Sequence, residues 1–238
     1  MIDYHSHILP QMDDGSQSIE ESLEMLHQSF CQGVDVMVST CHFYADEEDP
    51  KHFVDRRNQA FFRLRDAMAT RAEAYPVIVL GAEVLYFPGI AEAEDIGMLT
   101  VGCRSSILVE PPMMPWSDSM LDEIAQLGEN LGCRPVIAHV NRFMEHLHDE
   151  TLMDRVLERE MLVQVNANYF LKPKTVKAAI RNLKNGKIHL IGSDCHNLIS
   201  RPPNLGPVRR LMRVYRTEAE FSILEQNAAG LLFPGGTL

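Results

Sequence analysis

Two imidazoles separated by one residue open the chain, in His5-Ser6-His7, and Asp194-Cys195-His196 repeats that spacing near its end. In an extended strand, residues i and i+2 share a face. Each pair therefore presents two donors together, with Ser6 and Cys195 facing away. Further donors stand where apolar runs stop. His42 follows the second run. Glu83 follows Val77-Ile78-Val79-Leu80-Gly81-Ala82, Glu110 follows Ile107-Leu108-Val109, and His139 follows Pro135-Val136-Ile137-Ala138. The loop Asp13-Asp14-Gly15 after the first run offers one more carboxylate. Neutral imidazole and carboxylate oxygen, without thiolate, suit Zn²⁺, Mn²⁺ or Fe²⁺. A single His at a strand end is more often a hydrogen-bonded structural residue. A whole set at matching positions is not explained that way, because clustered carboxylates buried without a cation would carry a large desolvation penalty.

These donors need parallel strands to converge. Seven short runs rich in Val and Ile read as buried strands: Met1–His5, Val34–Thr40, Val77–Gly81, Ser106–Val109, Pro135–Ala138, Leu162–Asn166 and Ile188–Gly192. Helical spacing lies between most of them. Ile19, Leu23, Leu26 and Phe30 form one stripe, with Ser18 and Glu21 as a capping box and Gly33 as the stop. Val54–Arg71, Ser119–Asn130, Thr151–Arg159, Thr175–Asn185 and Thr217–Gln226 read as further helices. Repeated strand–helix units predict an α/β protein, and seven of them fit a small or distorted barrel better than an open doubly wound sheet. The carboxyl ends of barrel strands are where active sites form.

Composition narrows the classes. The 238 residues carry 22 Lys plus Arg against 33 Asp plus Glu, a formal charge of −11 that disfavours general nucleic-acid binding. With 45% hydrophobic residues the chain is too apolar to be disordered. No apolar run approaches a membrane span, and the start lacks the features of a secretory signal. Five Cys without a Cys-x-x-Cys pair argue against a disulfide framework. A cytoplasmic protein forming one domain, residues 1–238, is the expectation.

Several features carry less. His27, His52, His146 and His148 read as helix-edge or exposed loop residues, and His189 lies at the opposite end of its strand from the site. Asp3 shares a face with His5 but lies deeper, where packing near the strand start suits it. Cys195 and Arg201 match the Cys-x₅-Arg spacing of cysteine-dependent phosphatases. The insert has no Gly to let backbone N–H groups wrap a phosphate, and two Pro follow it. Trp116 and Met113-Met114 sit in a Pro-rich loop that could line a groove or simply pack.

Taken in order, these motifs resemble the polymerase and histidinol phosphatase (PHP) superfamily. The resemblance is narrower to the manganese-dependent protein-tyrosine phosphatases of capsule and exopolysaccharide loci. It runs from His5-Ser6-His7 and Asp13-Asp14-Gly15 through Gly81-Ala82-Glu83 and Glu110-Pro111-Pro112. It continues through Ala138-His139 with Arg142 to Ser193-Asp194-Cys195-His196-Asn197 with Arg201-Pro202. The resemblance implies a distorted TIM-like (β/α)₇ barrel of the PHP type and three divalent ions, Mn²⁺ by preference with Fe²⁺ or Zn²⁺ as alternatives. His5, His7, Glu83 and Asp194 would hold the first; Glu83, shared with it, Glu110 and His139 the second; Asp14, His42 and His196 the third. Arg142 and Arg201 would clamp phosphate. The family often has Pro where Cys41 stands, and usually reads Pro-Glu-Arg where this chain has Val140-Asn141-Arg142.

The implied reaction is phosphomonoester hydrolysis, with a metal-bridging hydroxide attacking phosphorus in line. A phosphotyrosine protein is the implied substrate, specifically the tyrosine-rich tail of a polysaccharide-export kinase. A phenolate leaving group needs less protonation than an alkoxide, since its pKa is about 10. The nearest alternative is the same chemistry on a small molecule such as histidinol phosphate. An amidohydrolase of the carbamylated-Lys type is disfavoured, because no Lys stands at a strand end.

Overall fold

A computed structural model describes residues 1–235, so the last three positions of the expected 1–238 domain lie outside the described residues. Nine strands are described: β1 (Ile2–Ser6), β2 (Val36–Ser39), β3 (His42–Phe43), β4 (Val77–Leu80), β5 (Glu83–Leu85), β6 (Ser106–Glu110), β7 (Arg134–Ile137), β8 (Leu162–Asn166) and β9 (Leu190–Gly192). All pair in parallel, in the orders β1-β2-β4 and β3-β5-β6-β7-β8-β9. The predicted α/β class with a parallel sheet therefore holds.

Two predicted strands continue past a break. β2 and β3 are parts of one path interrupted at Thr40-Cys41, and β4 and β5 at Gly81-Ala82. Ser39 lies opposite Leu80 and His42 opposite Glu83, so both paths keep step across the interruption. The sheet thereby curls, turning His42 and Glu83 toward the same space. At the other edge β1 meets β9: Asp194 N donates to His5 O (2.8 Å), His7 N to Cys195 O (2.9 Å), and Ser6 pairs with Cys195. This approach requires Gly192, where a Cβ would stand 2.4 Å from His5 Cβ.

Among the described residues nine α-helices flank the strands: α1 (Ile19–Cys31), α2 (Pro50–Met68), α3 (Asp118–Leu131), α4 (Val140–Leu147), α5 (Leu152–Leu157), α6 (Asn168–Leu171), α7 (Val176–Lys184), α8 (Leu205–Tyr215) and α9 (Glu218–Leu232). In α1, Ser18 Oγ accepts from Glu21 N, and Gly33 ends the helix at φ 87°. Glu21 closes the cap on Gln17 N rather than on Ser18 N. Phe30, expected inside, is exposed, and Met25 and Ser29 face the core instead. The α2 helix begins earlier than its apolar spacing suggests, because Asp49 caps it and Pro50 is preorganised for a first turn. α4 was not predicted; it starts directly at the end of β7, so His146 is helical rather than in a loop, though exposed. α6 is too short to show an apolar period, while α8 carries one in Leu205, Val208 and Met212 that was not among the expected helices. A continuous core of Leu, Ile, Val, Met and Phe side chains from strands and helices holds this frame.

Candidate metal centre

The nine predicted ligands meet at the carboxyl ends of the strands. Glu83, fully buried at the start of β5, stands at their middle. Its Oε2 lies 3.0 Å from His5 Nε2, 3.2 Å from His7 Nε2 and 3.3 Å from His42 Nδ1. Its Oε1 lies 2.8 Å from His139 Nε2. Glu110 reaches the same place from β6, 3.2 Å from His139 Nε2 and 3.8 Å from His42 Nδ1. Asp194 Oδ1 is 3.7 Å from both His5 Nε2 and His7 Nε2. On the outer side, Asp14 Oδ1 lies 3.2 Å from His196 Nε2 and 3.7 Å from His42 Nε2.

Three sets of donor atoms are close enough to share an ion: His7, Asp14, His42 and His196; His5, His7 and Glu83; His42, Glu83 and Glu110. These sets overlap the expected three but are not identical to them. His7 joins the outer set, and His42 stands with Glu83 and Glu110. His139 is near the same two carboxylates without entering that set, and Asp194 lies just beyond the second.

The residues fit divalent cations by a test internal to the structure. His42 Nδ1, Glu83 Oε1 and His196 Nε2 are buried and make no hydrogen bond among the described residues. His5 Nε2 and His7 Nε2 stand 3.2 Å apart, each close to the same carboxylate. Polar atoms left like this are costly unless something compensates them, and a cation coordinated by imidazole and carboxylate does so. The electrostatics show the same concentration of charge. Burial would raise Glu83, but His5 and His139 hold it well below the usual carboxylate range. Burial would lower His7, yet Asp13 and Glu83 raise it to about 10. Burial would likewise lower His139, which Glu110 and Glu83 raise to about 9.

Backbone geometry is unusual at two of these positions. His139 (φ 30°) and Asp194 (φ 54°) both adopt left-handed conformations, which non-glycine residues take at a cost and which concentrate at functional sites. In both cases the strand turns abruptly at its end, so the side chain projects inward rather than along the sheet.

Residues outside the predicted set complete the centre. Asp13 is the main one. Its Oδ2 accepts from His7 Nδ1 (2.7 Å) and His42 N (2.8 Å), and its Oδ1 from Gly15 N (2.9 Å). The sequence shows Asp13 beside Asp14, but not that Asp13 braces His7 while Asp14 joins the outer donors. Gln164 and Asn166 were also missed; their only signal was two amides at i and i+2 in an otherwise apolar strand.

The two arginines stand at the mouth. Arg201 Nη2 lies 2.6 Å from Asp194 Oδ1, and Arg142 Nη1 lies 3.8 Å from Glu110 Oε1. Both line an open cleft of about 510 Å³ with Asn141, Asn166, Lys172 and Asp194. A larger recess of about 1010 Å³ opens near the amino ends of the strands beside Arg134 and His189, and contains none of the predicted ligands. Cys195 is fully buried, and burial pushes its thiol well above the usual range, so the Cys-x₅-Arg spacing builds no thiolate pocket. Trp116 is buried edge-on against Phe143 of α4, ring centroids 5.0 Å apart, whereas Met113 and Met114 are exposed.

Comparison with known proteins agrees with this geometry. Residues 1–233 match the family model described as capsular polysaccharide synthesis, CpsB/CapC. A protein named tyrosine-protein phosphatase CpsB from Streptococcus pneumoniae is 31% identical over 217 residues, covering 85% of this chain and 86% of that protein. Its namesake from Streptococcus agalactiae serotype III (strain NEM316) is 28% identical and covers 98% of both chains. A solved structure superposes with a TM-score of 0.81 at 22% identity, covering 100% of this chain and 96% of that one. It comes from work on YwqE of Bacillus subtilis and CpsB of S. pneumoniae, described as unique metal-dependent tyrosine phosphatases. At that identity the likeness concerns the fold. The family match spans the segment that supplies every donor of the centre, and the chain belongs to the CpsB/CapC family of capsular polysaccharide synthesis.

Proposed function

We propose that this chain is a metal-dependent phosphomonoester hydrolase acting on phosphotyrosine in a protein. The observation that carries the reading is Glu83, one buried carboxylate approached by four imidazoles from three different strands, His5 and His7 at the end of β1, His42 on β3 and His139 after β7. The names of the relatives support the substrate class. The assignment of ligands to three Mn²⁺ ions follows the family resemblance: His5, His7, Glu83 and Asp194; Glu83, Glu110 and His139; Asp14, His42 and His196. The overlapping donor sets support it. A (β/α)₇ barrel is part of the same reading, supported by the β1–β9 contact and by the two interrupted strands counted as one position each.

Divalent cations bound here supply Lewis acidity toward phosphoryl oxygens and lower the pKa of water. The chain's own residues do the rest. Arg142 and Arg201 are placed to receive phosphate oxygens, for which the planar guanidinium is suited. Asn166 donates to Asp194 Oδ2 at 2.6 Å and holds that carboxylate against Arg201. The substrate we propose is the tyrosine-rich tail of a polysaccharide-export kinase, met in the cytoplasm; no described helix is long and apolar enough to cross a membrane.

The test is a substrate panel with metal removal. Mn²⁺-loaded protein should hydrolyse a phosphotyrosine peptide faster than histidinol phosphate, lose that activity in chelator, and regain it with Mn²⁺. Undiminished activity in chelator would remove the metal from the reading. A preference for histidinol phosphate would replace the protein substrate by a small molecule.

A further inference from the structure

Among the sheet positions, β8 alone ends without a His or a carboxylate, yet it lies against the centre. It ends instead in Gln164-Val165-Asn166, whose two amides share a face by strand periodicity. Gln164 is fully buried. Its Oε1 accepts from the backbone N–H of His139 at 2.5 Å and from His5 Nδ1 at 3.3 Å. Its Nε2 donates to Val165 O at 2.9 Å and to Asn166 Oδ1 at 3.3 Å. Asn166 in turn donates to Asp194 Oδ2 at 2.6 Å. Its own backbone N–H is held by Asn141 Oδ1 at 2.9 Å.

We propose that Gln164 and Asn166 form a neutral positioning relay that sets three metal ligands from three different strands: His5, His139 and Asp194. The proposal rests on the metal reading above. The logic is that of imidazole tautomers. A proton held on His5 Nδ1 by Gln164 leaves Nε2 bare and aimed at Glu83, and such outer partners fix ring orientation. The same amide oxygen ties down the His139 backbone where it takes its left-handed turn. Asn166 fixes the oxygen of Asp194 opposite the one that Arg201 approaches. Neutral amides do this without adding charge to a centre already rich in carboxylates. The fit around Gln164 is close: a Cβ on Gly192 would stand 3.0 Å from its Nε2.

The experiment compares Gln164→Met, Gln164→Glu and Asn166→Ala with wild type. Mn²⁺ bound per chain is read by electron paramagnetic resonance titration, and folding by circular dichroism and melting of the metal-free proteins. Gln164→Met keeps the volume and removes the acceptor, so it should weaken Mn²⁺ binding by about 10- to 100-fold. Gln164→Glu keeps the acceptor oxygen and should bind Mn²⁺ more tightly than Gln164→Met does. Asn166 is only half buried; Asn166→Ala should fold normally and still lose affinity. A packing role predicts the reverse order, with the apolar Met tolerated and the buried Glu not. That order, or wild-type affinity in Asn166→Ala, overturns the relay while the metal reading stands. Wild-type protein that binds no Mn²⁺ overturns both.

Discussion

His7 Nδ1 lies 2.7 Å from Asp13 Oδ2, a carboxylate that also accepts from the His42 backbone at 2.8 Å. One buried side chain thus orients an imidazole at the end of β1 and the turn into β3. Asp13→Ala should destabilise the metal-free protein by roughly 3 kcal/mol, because it leaves buried donors unpaired. Asp13→Asn keeps the volume and should instead reduce retained Mn²⁺ by about 10-fold or more. Denaturant midpoints and metal content after dialysis separate the two effects.

Arg201 and Arg142 should differ in what their loss costs. Each removal should lower kcat/KM for an aryl phosphate by roughly 10- to 100-fold, the value of a charged hydrogen bond to phosphate. Arg201 hydrogen-bonds a candidate ligand, Asp194, at 2.6 Å, whereas Arg142 stands 3.8 Å from Glu110. Arg201→Ala should therefore raise the Mn²⁺ concentration needed for half-maximal activity more than Arg142→Ala does. Wild-type kinetics in both variants would take the pair out of the site.

Cys195→Ser should leave activity largely intact. The thiol is fully buried in the hydrophobic core, and it is the residue's carbonyl that accepts from His7 N. A nucleophilic role would cost at least roughly a thousandfold in kcat, which a single-turnover assay would reveal.

Gly192→Ala should both destabilise and disarm. The added methyl would meet His5 Cβ at 2.4 Å and His5 N at 2.9 Å, all within one strand contact. Overpacking of this kind costs roughly 1–3 kcal/mol. Because the strand that must yield carries His5 and His7, Mn²⁺ binding should fall with the melting temperature. An unchanged melting temperature would show that β1 and β9 can separate freely.

His189 should contribute acid sensitivity unconnected with the metal. Its Nδ1 accepts from Val163 N at 3.1 Å, which requires the neutral ring, and burial, helped by Arg134, lowers its pKa. The unfolded chain takes up the proton first, near its ordinary pKa of about 6.5. Stability from this group is thus complete above that pH and lost as pH falls toward the folded value. His189→Gln should flatten the decline below about pH 6.5 in urea midpoints of the metal-free protein; an identical slope would refute this.

Much of the centre was legible because parallel strands carry their ends to one side. His5, His7, His42, Glu83, Glu110, His139, Asp194 and His196 all stand at or just after short apolar runs, and period-two geometry already paired His5 with His7 and Asp194 with His196. The helix at Ser18 and its stop at Gly33 were legible too, since caps are local chemistry. The α4 helix was not: its eight residues follow a strand without a loop, and periodicity needs a longer window.

What the sequence determined by itself is the donor set and the direction from which it is presented. The tertiary structure decided which atoms meet. The interruptions at Thr40-Cys41 and Gly81-Ala82 curl the sheet, so that His42 and Glu83 stand opposite each other and close on the rest. Asp13 is the one that braces His7 and the His42 backbone while Asp14 joins the outer donors, and Gln164 reaches two ligands through one oxygen. These choices depend on packing and hydrogen-bond closure between residues up to 159 positions apart, and no local pattern along the chain encodes a distance of that kind.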